Sequence, residues 1–588
     1  MMEKIMLRID NQLVEVAAGA TVLEAAKATG VNIPTLCYLK DLNEIGACRM
    51  CVVEIKGAKA LEASCVTPVA QDMEVWTNSP SVRRARRTNL ELILANHPLE
   101  CPTCIRNLNC ELQKQAENFG IREVRFPGFG EKYAVDDSSF AIIQERDKCI
   151  YCRRCAAVCG KVQTVYAITT QGKGSDLAVA PVSQLPLGET ACVQCGQCTL
   201  VCPVGALYER DQTEEVWAAL ADPKKHVVVQ TAPATRVSLG EELGMEPGSI
   251  VTGQMVAGLR RLGFDRVFDT DFTADLTIME EGSELIQRVT TGGTLPMITS
   301  CSPGWIKFIE HFYPELLPNL STCKSPQQML GALAKTYYAK KVGIDPADVF
   351  VVSYMPCTAK KYEAQRDEMK DSGYQDIDVV LTTREVGRML RQSGIDFTSL
   401  PNEDFDDPLG ISTGAGLIFG ATGGVMEAAL RTAYEIITKE ELPNINFTAV
   451  RGLTGVKEAT VQVGELPVKV AVAHSLGYAR DLLDAIKRGE ADYHFIEIMC
   501  CPGGCIGGGG QPIPTNLEIR GKRISATYKA DEMMTMRKSH LNPAVEALYK
   551  EFLGEPLGHA SHDLLHTHYV ARETPKPMKM PVAKRALP

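Results

Sequence analysis

CIYCRRCAAVC (149–159) and CVQCGQCTLVC (192–202) each read C-x2-C-x2-C-x3-C, and this duplicated run sets the organisation of the chain around it. Four thiolates hold each four-iron cluster, and where two such runs share a domain the last cysteine of each ligates the other's cluster. The expected ligand sets are therefore Cys149, Cys152, Cys155 and Cys202 for one [4Fe-4S] cluster, and Cys192, Cys195, Cys198 and Cys159 for the other. The second run ends Cys202-Pro203, as such runs usually do, and the first departs with Cys159-Gly160. Zinc accepts paired C-x2-C but has no use for the interleaved fourth cysteines. A two-cluster domain over 138–212 follows, and there is no other obvious internal repeat.

Toward the amino terminus the cysteines continue. Fifteen of the 21 lie before residue 203, which makes the first third of the chain an electron wire. Cys37, Cys48, Cys51 and Cys65 read C-x10-C-x2-C-x13-C, after the strand-like segments MLRID and LVEV and the helix-like TVLEAAKATG. The pattern resembles the [2Fe-2S] ferredoxin-like domain that begins the large iron–sulphur subunit of respiratory complex I, and implies a β-grasp domain over 1–80. His97, Cys101, Cys104 and Cys110 give H-x3-C-x2-C-x5-C behind the helix-like RRTNLELILAN. The same family has a His-plus-three-Cys [4Fe-4S] site, so the resemblance makes His97 the fourth ligand in a domain over 81–125. A neutral imidazole in place of a thiolate shifts a cluster's potential. The basic run RRARR at 83–87 reads as the solvated face of a helix.

Toward the carboxyl terminus the pattern changes at about residue 224 to short apolar strands (HVVVQTAP, VFVVSYMP, VKVAVAHS) between helix-like segments, an α/β arrangement with buried strands. The remaining six cysteines stand at strand ends or in Gly/Pro turns, where open sheets place ligands. Three motifs hold five of them: TSCSPGW (299–305), MPCTAKK (355–361) and EIMCCPGGC (497–505), the last followed by glycines at 507–510. The sixth, Cys323 in LSTCKSPQQ, reads as a buried packing residue.

At these motifs the chain resembles the catalytic subunit of [FeFe]-hydrogenases. The resemblance implies an H-cluster, a [4Fe-4S] cubane joined through a cysteine sulphur to a two-iron centre carrying CO, cyanide and an azadithiolate. It implies Cys357, Cys501 and Cys505 as cubane ligands with Cys505 the bridge. Lys360 and the backbone at Pro233 would hold the cyanides, Met355, Met499 and Phe419 would pack the two-iron site, and Gln327 would lie nearby. Gly503 and Gly504 let backbone approach a bulky ligand closely. One position departs from the family. Its first motif usually has adjacent cysteines, the first relaying protons and the second binding the cubane; here they are Cys301 and Ser302. The fourth ligand is left open between Ser302 oxygen, a shifted Cys301, and the extra thiol Cys500. Iron–sulphur clusters prefer the softer thiolate, which favours a cysteine.

In DLTIMEEGSELIQRV, Glu281, Glu284 and Arg288 share a helical face. By itself this spacing is an exposed ion-paired face; the resemblance makes it part of a proton relay through Cys301, Glu281, Ser321, Glu284 and Arg288. A buried Glu281 would have a raised pKa and exchange protons near neutrality.

The expected architecture is multidomain, α+β and α/β. It runs from the [2Fe-2S] domain through the His/Cys3 domain and two-cluster domain to an H-cluster domain over 222–513, a fused small-subunit-like segment over 514–570 and a disordered tail over 571–588. The histidines at its end, His559, His562, His566 and His568, read as solvated helix ends wrapping the domain. A formal net charge of −10 opposes nucleic acid as a main partner. No run reaches the roughly 20 apolar residues of a membrane span. Without a signal segment or twin-arginine motif, the thiols point to a reducing, cytoplasmic compartment. The resemblance implies reversible H2 oxidation, with ferredoxin or flavin-containing NAD(P)H-oxidising subunits as electron partners and H-cluster maturation proteins as assembly partners. No G-x-G-x-x-G follows a strand in the setting a nucleotide site needs. A complex I or formate dehydrogenase subunit would lack MPC and MCCPGGC, an H2 sensor would add a signalling domain, and a cytosolic cluster-assembly factor would lack the set from Cys37 to Cys65.

Overall fold

The computed structural model describes residues 4–128, 133–463 and 466–573. The first strands, Lys4–Ile9 and Gln12–Ala17, pair antiparallel around a turn at Asp10 and Asn11, both in the left-handed region that Asx residues tolerate. They join Glu74–Trp76, Val52–Ile55 and Glu62–Ala63 in a five-stranded sheet. Against it lies the helix Val22–Ala28, whose Thr21 and Glu24 form a capping box. This is the β-grasp arrangement.

The helix Pro80–Ala95 connects the sheet to the next cluster loop and carries the basic run. Arg83 and Arg84 are solvated as expected, but Arg86 is not. It is buried against the sheet and donates from Nε and Nη2 to the Val52 carbonyl at 3.2 and 2.8 Å. The sequence could not separate it from its neighbours because helical rotation alone turns it inward.

Two four-stranded sheets form the catalytic half. One is wholly parallel, in the order Arg266–Asp269, His226–Thr231, Val349–Met355 and Val379–Thr382. The other runs Met297–Ile298, Phe495–Met499, Leu466–His474 and Val456–Val463, with only the last pair antiparallel. Both central strands are buried on both faces, which is why they read as continuous apolar runs. The residues at 233, 301, 357 and 500–505 all follow the carboxyl ends of strands in these sheets, so topology alone gathers them.

After the last sheet strand, the helices Leu517–Met533, Pro543–Leu548 and His559–Leu565 wrap the domain. Arg523 is fully buried and forks onto Glu241 at 2.7 and 2.6 Å. Two expectations fail here. His566 is buried rather than solvated, between Thr322 Oγ1 at 2.8 Å and Glu280 Oε2 at 3.2 Å. Arg572, placed in the disordered tail by sequence, donates its Nε to Glu310 Oε2 at 2.6 Å. The rest of that tail, from 574 on, lies outside the described residues.

Candidate functional site

The wire is built from loops in which sulphurs converge. Cys51 and Cys65 Sγ are 3.3 Å apart, and Cys37 hydrogen-bonds Cys48, so four thiols meet in one loop cluster. Cys149, Cys152, Cys155 and Cys202 line one small cavity, and Cys159, Cys192, Cys195 and Cys198 line another. These are the interleaved sets that the spacing predicts. Burial, then the neighbouring sulphurs, push the Cys155 and Cys198 thiols well up, so they are protonated when free and a metal would have to displace the proton to bind them. His97 Nδ1 is buried without a hydrogen-bond partner, and burial with Lys148 nearby lowers its pKa to about 4. A neutral ring with an orphan nitrogen suits a metal ligand.

These sites touch one another. Asn43 Nδ2 donates to the carbonyls of Cys37 at 2.7 Å and Cys152 at 2.9 Å, tying the first cluster loop to the first run. The Glu111 amide, next to Cys110, donates to Pro203 O at 2.9 Å, and a Cβ on Gly205 would lie 2.7 Å from Cys104 Sγ. The two outer sites therefore both abut the pocket of Cys149 and Cys202. The wire forks there.

At the other end, Cys195 lines a further, mostly apolar cavity together with Cys301, Ser302, Cys357, Cys500, Cys501 and Cys505. Pro233, Gln327, Met355, Lys360, Phe419 and Met499, all expected at the site, line it too. Lys360 Nζ is held between the Cys301 carbonyl at 3.2 Å and Glu363 Oε2 at 2.8 Å. Gln327 Nε2 also reaches Glu363, at 3.1 Å, while its Oε1 is buried with no partner. A pocket with clustered thiols, soft and apolar walls, one fixed cation and an orphan amide fits a bulky iron–sulphur cofactor with small polar ligands.

Two glycines also matter for packing between loops. Gly504 has φ of +90°, and a Cβ there would lie 2.7 Å from the Thr422 amide nitrogen. A Cβ on Gly509 would strike the Cys195 carbonyl at 2.2 Å. Both let loop pack on loop, and Gly504 also lines the cavity. Glu363, Glu497 and Cys195 were not expected at the site. Glu497 accepts the amides of Gly423 and Met426 at 2.6 and 2.8 Å and so fixes the start of the helix Gly424–Thr438, which closely follows the turn Ile418–Gly420 carrying Phe419. Its place inside the third motif was the available signal.

From Cys301 a line of groups leads outward along the helix Thr270–Thr291. Burial, then Glu281, pushes the Cys301 thiol well up. Glu281 is itself raised to about 8, first by burial and then by Glu284. The Ser321 hydroxyl is within hydrogen-bond reach of Glu281 and donates to Glu284 Oε2 at 3.0 Å. Arg288 Nη2 donates to Glu284 Oε1 at 2.5 Å, with its side chain 13% exposed. All five relay candidates are thus contiguous. Cys323 is fully buried as expected, its Sγ 4.0 Å from Glu284 Oε2.

Comparison with known proteins agrees with this geometry. Residues 225–509 match the family described as the iron only hydrogenase large subunit, C-terminal domain, and 517–572 match the iron hydrogenase small subunit. Residues 2–80 match a 2Fe-2S iron–sulphur cluster binding domain, 86–125 match the NADH-ubiquinone oxidoreductase-G iron–sulphur binding region, and 146–206 match a 4Fe-4S dicluster domain. The chain is 52% identical over 584 residues to the NADP-reducing hydrogenase subunit HndD of Solidesulfovibrio fructosivorans, covering 97% of this chain and all of the relative. It is 42% identical over 560 residues to iron hydrogenase 1 of Clostridium pasteurianum, covering 93% and 97%. Among solved structures, the [FeFe]-hydrogenase HydA1 of Chlamydomonas reinhardtii aligns with a TM-score of 0.56 and 47% identity, over 62% of this chain and 99% of that one.

Proposed function

The chain belongs to the [FeFe]-hydrogenases, and from that premise we propose which of its residues carry the reversible reaction H2 ⇌ 2 H+ + 2 e−. It is an iron hydrogenase whose iron–sulphur domains relay electrons to and from an H-cluster. The observation that carries the residue assignment is the single cavity joining Cys357, Cys501 and Cys505 to Lys360 on one side, Cys301 on another and Cys195 on a third. In this reading Cys357, Cys501 and Cys505 would hold the cubane. The bound cofactor supplies the heterolytic chemistry of H2; the chain supplies everything around it.

Lys360, pinned by Glu363, would offer its ammonium protons to anionic ligands of the bound cofactor. Met355, Met499 and Phe419 exclude water. Protons travel from Cys301 to Glu281, and the direction of each hydrogen bond follows from charge. Protonated Glu281 donates to Ser321, whose hydroxyl donates to Glu284, held by Arg288 near solvent. A carboxyl with pKa near 8 exchanges protons in either direction at neutral pH.

Clusters held at Cys192, Cys195 and Cys198 and at Cys149 and Cys202 would carry electrons between the cavity and either arm of the fork. This gives one [2Fe-2S] and three [4Fe-4S] clusters besides the H-cluster. The partner we assign is a flavin-containing NAD(P)H-oxidising subunit, supported by the complex I-like match over 86–125 and by the relative's NADP-reducing activity. Such a partner, with thiols that must stay reduced, argues for a cytoplasmic enzyme.

The test is anaerobic co-expression with the H-cluster maturation proteins, followed by H2 evolution from reduced methyl viologen and infrared spectra in the CO and cyanide region. Turnover with those bands is expected. Bands without turnover would overturn the relay assignment, and neither, in a maturation-competent host, would overturn the cavity assignment.

A further inference from the structure

We propose that Cys500 supplies the fourth thiolate of the cubane, in place of Ser302. This rests on the H-cluster reading of the cavity and adds a ligand to it. Three groups compete for the position. Cys301 leads toward the relay: Glu281 is the charge that acts most on its thiol, and its carbonyl is tied down by Lys360 Nζ at 3.2 Å. Ser302 Oγ is turned to the backbone, accepting the Cys500 amide at 3.2 Å. An alcohol oxygen is in any case a hard, reluctant partner for a cluster iron.

Cys500 has neither commitment. It directly follows the strand Phe495–Met499 and is 4% exposed. Its thiol lies within hydrogen-bond reach of Cys501 and of Cys195, on the wall that the catalytic cavity shares with the wire. The opposing wall is cut away to admit it: a Cβ on Gly304 would lie 2.7 Å from Cys500 Sγ. The Ser302 contact then has a purpose. By accepting the Cys500 amide it fixes the backbone from which the sulphur projects, so the two substitutions in this cavity act as one exchange of roles.

Ligation needs no redox partner. The Cys500 S–H bond breaks, the proton leaves to solvent, and the sulphur lone pair forms the bond to iron, whose oxidation state is unchanged. The same sulphur neighbours Cys195, so the cubane and the nearest wire cluster would meet through two adjacent ligand sulphurs. Gln163 lies over that junction, its Nε2 3.6 Å from Cys195 Sγ and 3.9 Å from Cys500 Sγ, and donates to the Cys500 carbonyl at 3.0 Å.

The experiment uses the full chain made without maturation proteins, so that the cubane is present and the two-iron centre is not. Mildly oxidised [2Fe-2S] and [4Fe-4S] clusters are EPR-silent, whereas a cubane that has lost one thiolate and its iron gives a [3Fe-4S] signal. Cys500→Ala is expected to give that signal with loss of a single iron per chain, and Ser302→Ala to give none. The double variant S302C/C500A should restore a silent, iron-replete protein, which separates loss of a ligand from misfolding. Cys357→Ala is the control for the underlying reading. If C357A shows the three-iron signal and C500A does not, or if S302A alone shows it, the inference falls; if C357A does not show it either, the cavity assignment falls first.

Discussion

The wire and the catalytic cavity use the same side chain in opposite ways. In the wire's two-cluster domain the thiols come in tight runs with two or three residues between them, so that three of each cluster's four expected ligands lie in one loop. In the cavity they arrive singly or in a pair from residues 301, 357 and 500–505, and meet only because strands of two sheets end at one place. Local runs need little of the fold to be in place before they bind iron. The cavity needs nearly all of it, and in return it is walled, apolar and open to a proton path. Electron transfer tolerates the first kind of site, whereas chemistry on H2 needs the second.

Removing one ligand from each kind breaks or upholds this contrast. Cys505→Ala should give the largest effect: turnover falls to background and the CO and cyanide bands vanish, while iron analysis and EPR still find the reduced wire clusters. Bleaching of the wire as well would show that the two regions are not separable. Next is Glu281→Gln, which keeps the cofactor but interrupts proton transfer. Loss of a positioned acid–base group costs about 10²–10⁴-fold in turnover. The sign of its pH dependence follows from the raised pKa of about 8. Below that pH Glu281 is protonated and can deliver protons, so H2 evolution by the parent enzyme should decline as pH rises through about 8, and E281Q should lose this limb. Equal pH profiles would remove Glu281 from the path.

The seam between the regions gives a third effect, on stability rather than on turnover. Glu209, closing the strand Leu207–Glu209 of the two-cluster domain, pairs with Arg384 of the catalytic helix Thr383–Gln392 at 2.7 Å, both buried. Burial would raise its pKa, but Arg384 overrides this and brings it to about 2. A depressed carboxylate stabilises fully above its unfolded value of about 4.5, and this is lost as pH falls from there through about 2. A shift of this size is worth about 3 kcal/mol at neutral pH. Glu209→Gln should therefore quicken thermal bleaching of the visible iron–sulphur absorption by up to about 10²-fold at pH 7. Turnover before heating should be unchanged. An unaltered bleaching rate would mean that the seam is held elsewhere, for example by Arg384 donating to the Gly509 and Gln511 carbonyls at 2.9 and 2.6 Å.

The same contrast governs what could be read without coordinates. The wire's ligand sets were legible because C-x2-C-x2-C-x3-C is itself the geometry of the site. The cavity's residues were legible only through resemblance, since nothing in local spacing says that 301, 357 and 505 meet. Where both signals failed, the cause was rotation or distance. Arg86 looked like its neighbours in the basic run, His566 looked like a solvated terminal histidine, and Cys195 belonged so plainly to the wire that its second role as cavity wall was hidden. Gly509 reads in sequence as one member of a glycine run, yet it is fixed by the Cys195 carbonyl, which belongs to a loop of a different domain and is brought there only in three dimensions.

The finest test lies at the wire's outer fork, where one ligand differs from all the rest. His97 is neutral, with its Nδ1 buried and unpartnered, so its site carries one negative charge fewer than an all-thiolate set. His97→Cys adds that charge without moving the loop, because the Cys101, Cys104 and Cys110 backbone is held by its own turn hydrogen bonds and by Pro203. The reduced cluster should become harder to form, and a redox titration followed by EPR should show one midpoint moving to lower potential while the other clusters keep theirs. Turnover with methyl viologen, a small donor that is not confined to one arm of the fork, should stay within about twofold, since the chemical site and the proton path are untouched. Exchange with a pyridine-nucleotide-linked partner should slow if that partner docks at this arm and stay unchanged if it docks at the Cys37 arm. A uniform shift of every midpoint would mean that the loop had moved, and would remove the distinction between a wire of separable local sites and a cavity that depends on the whole fold.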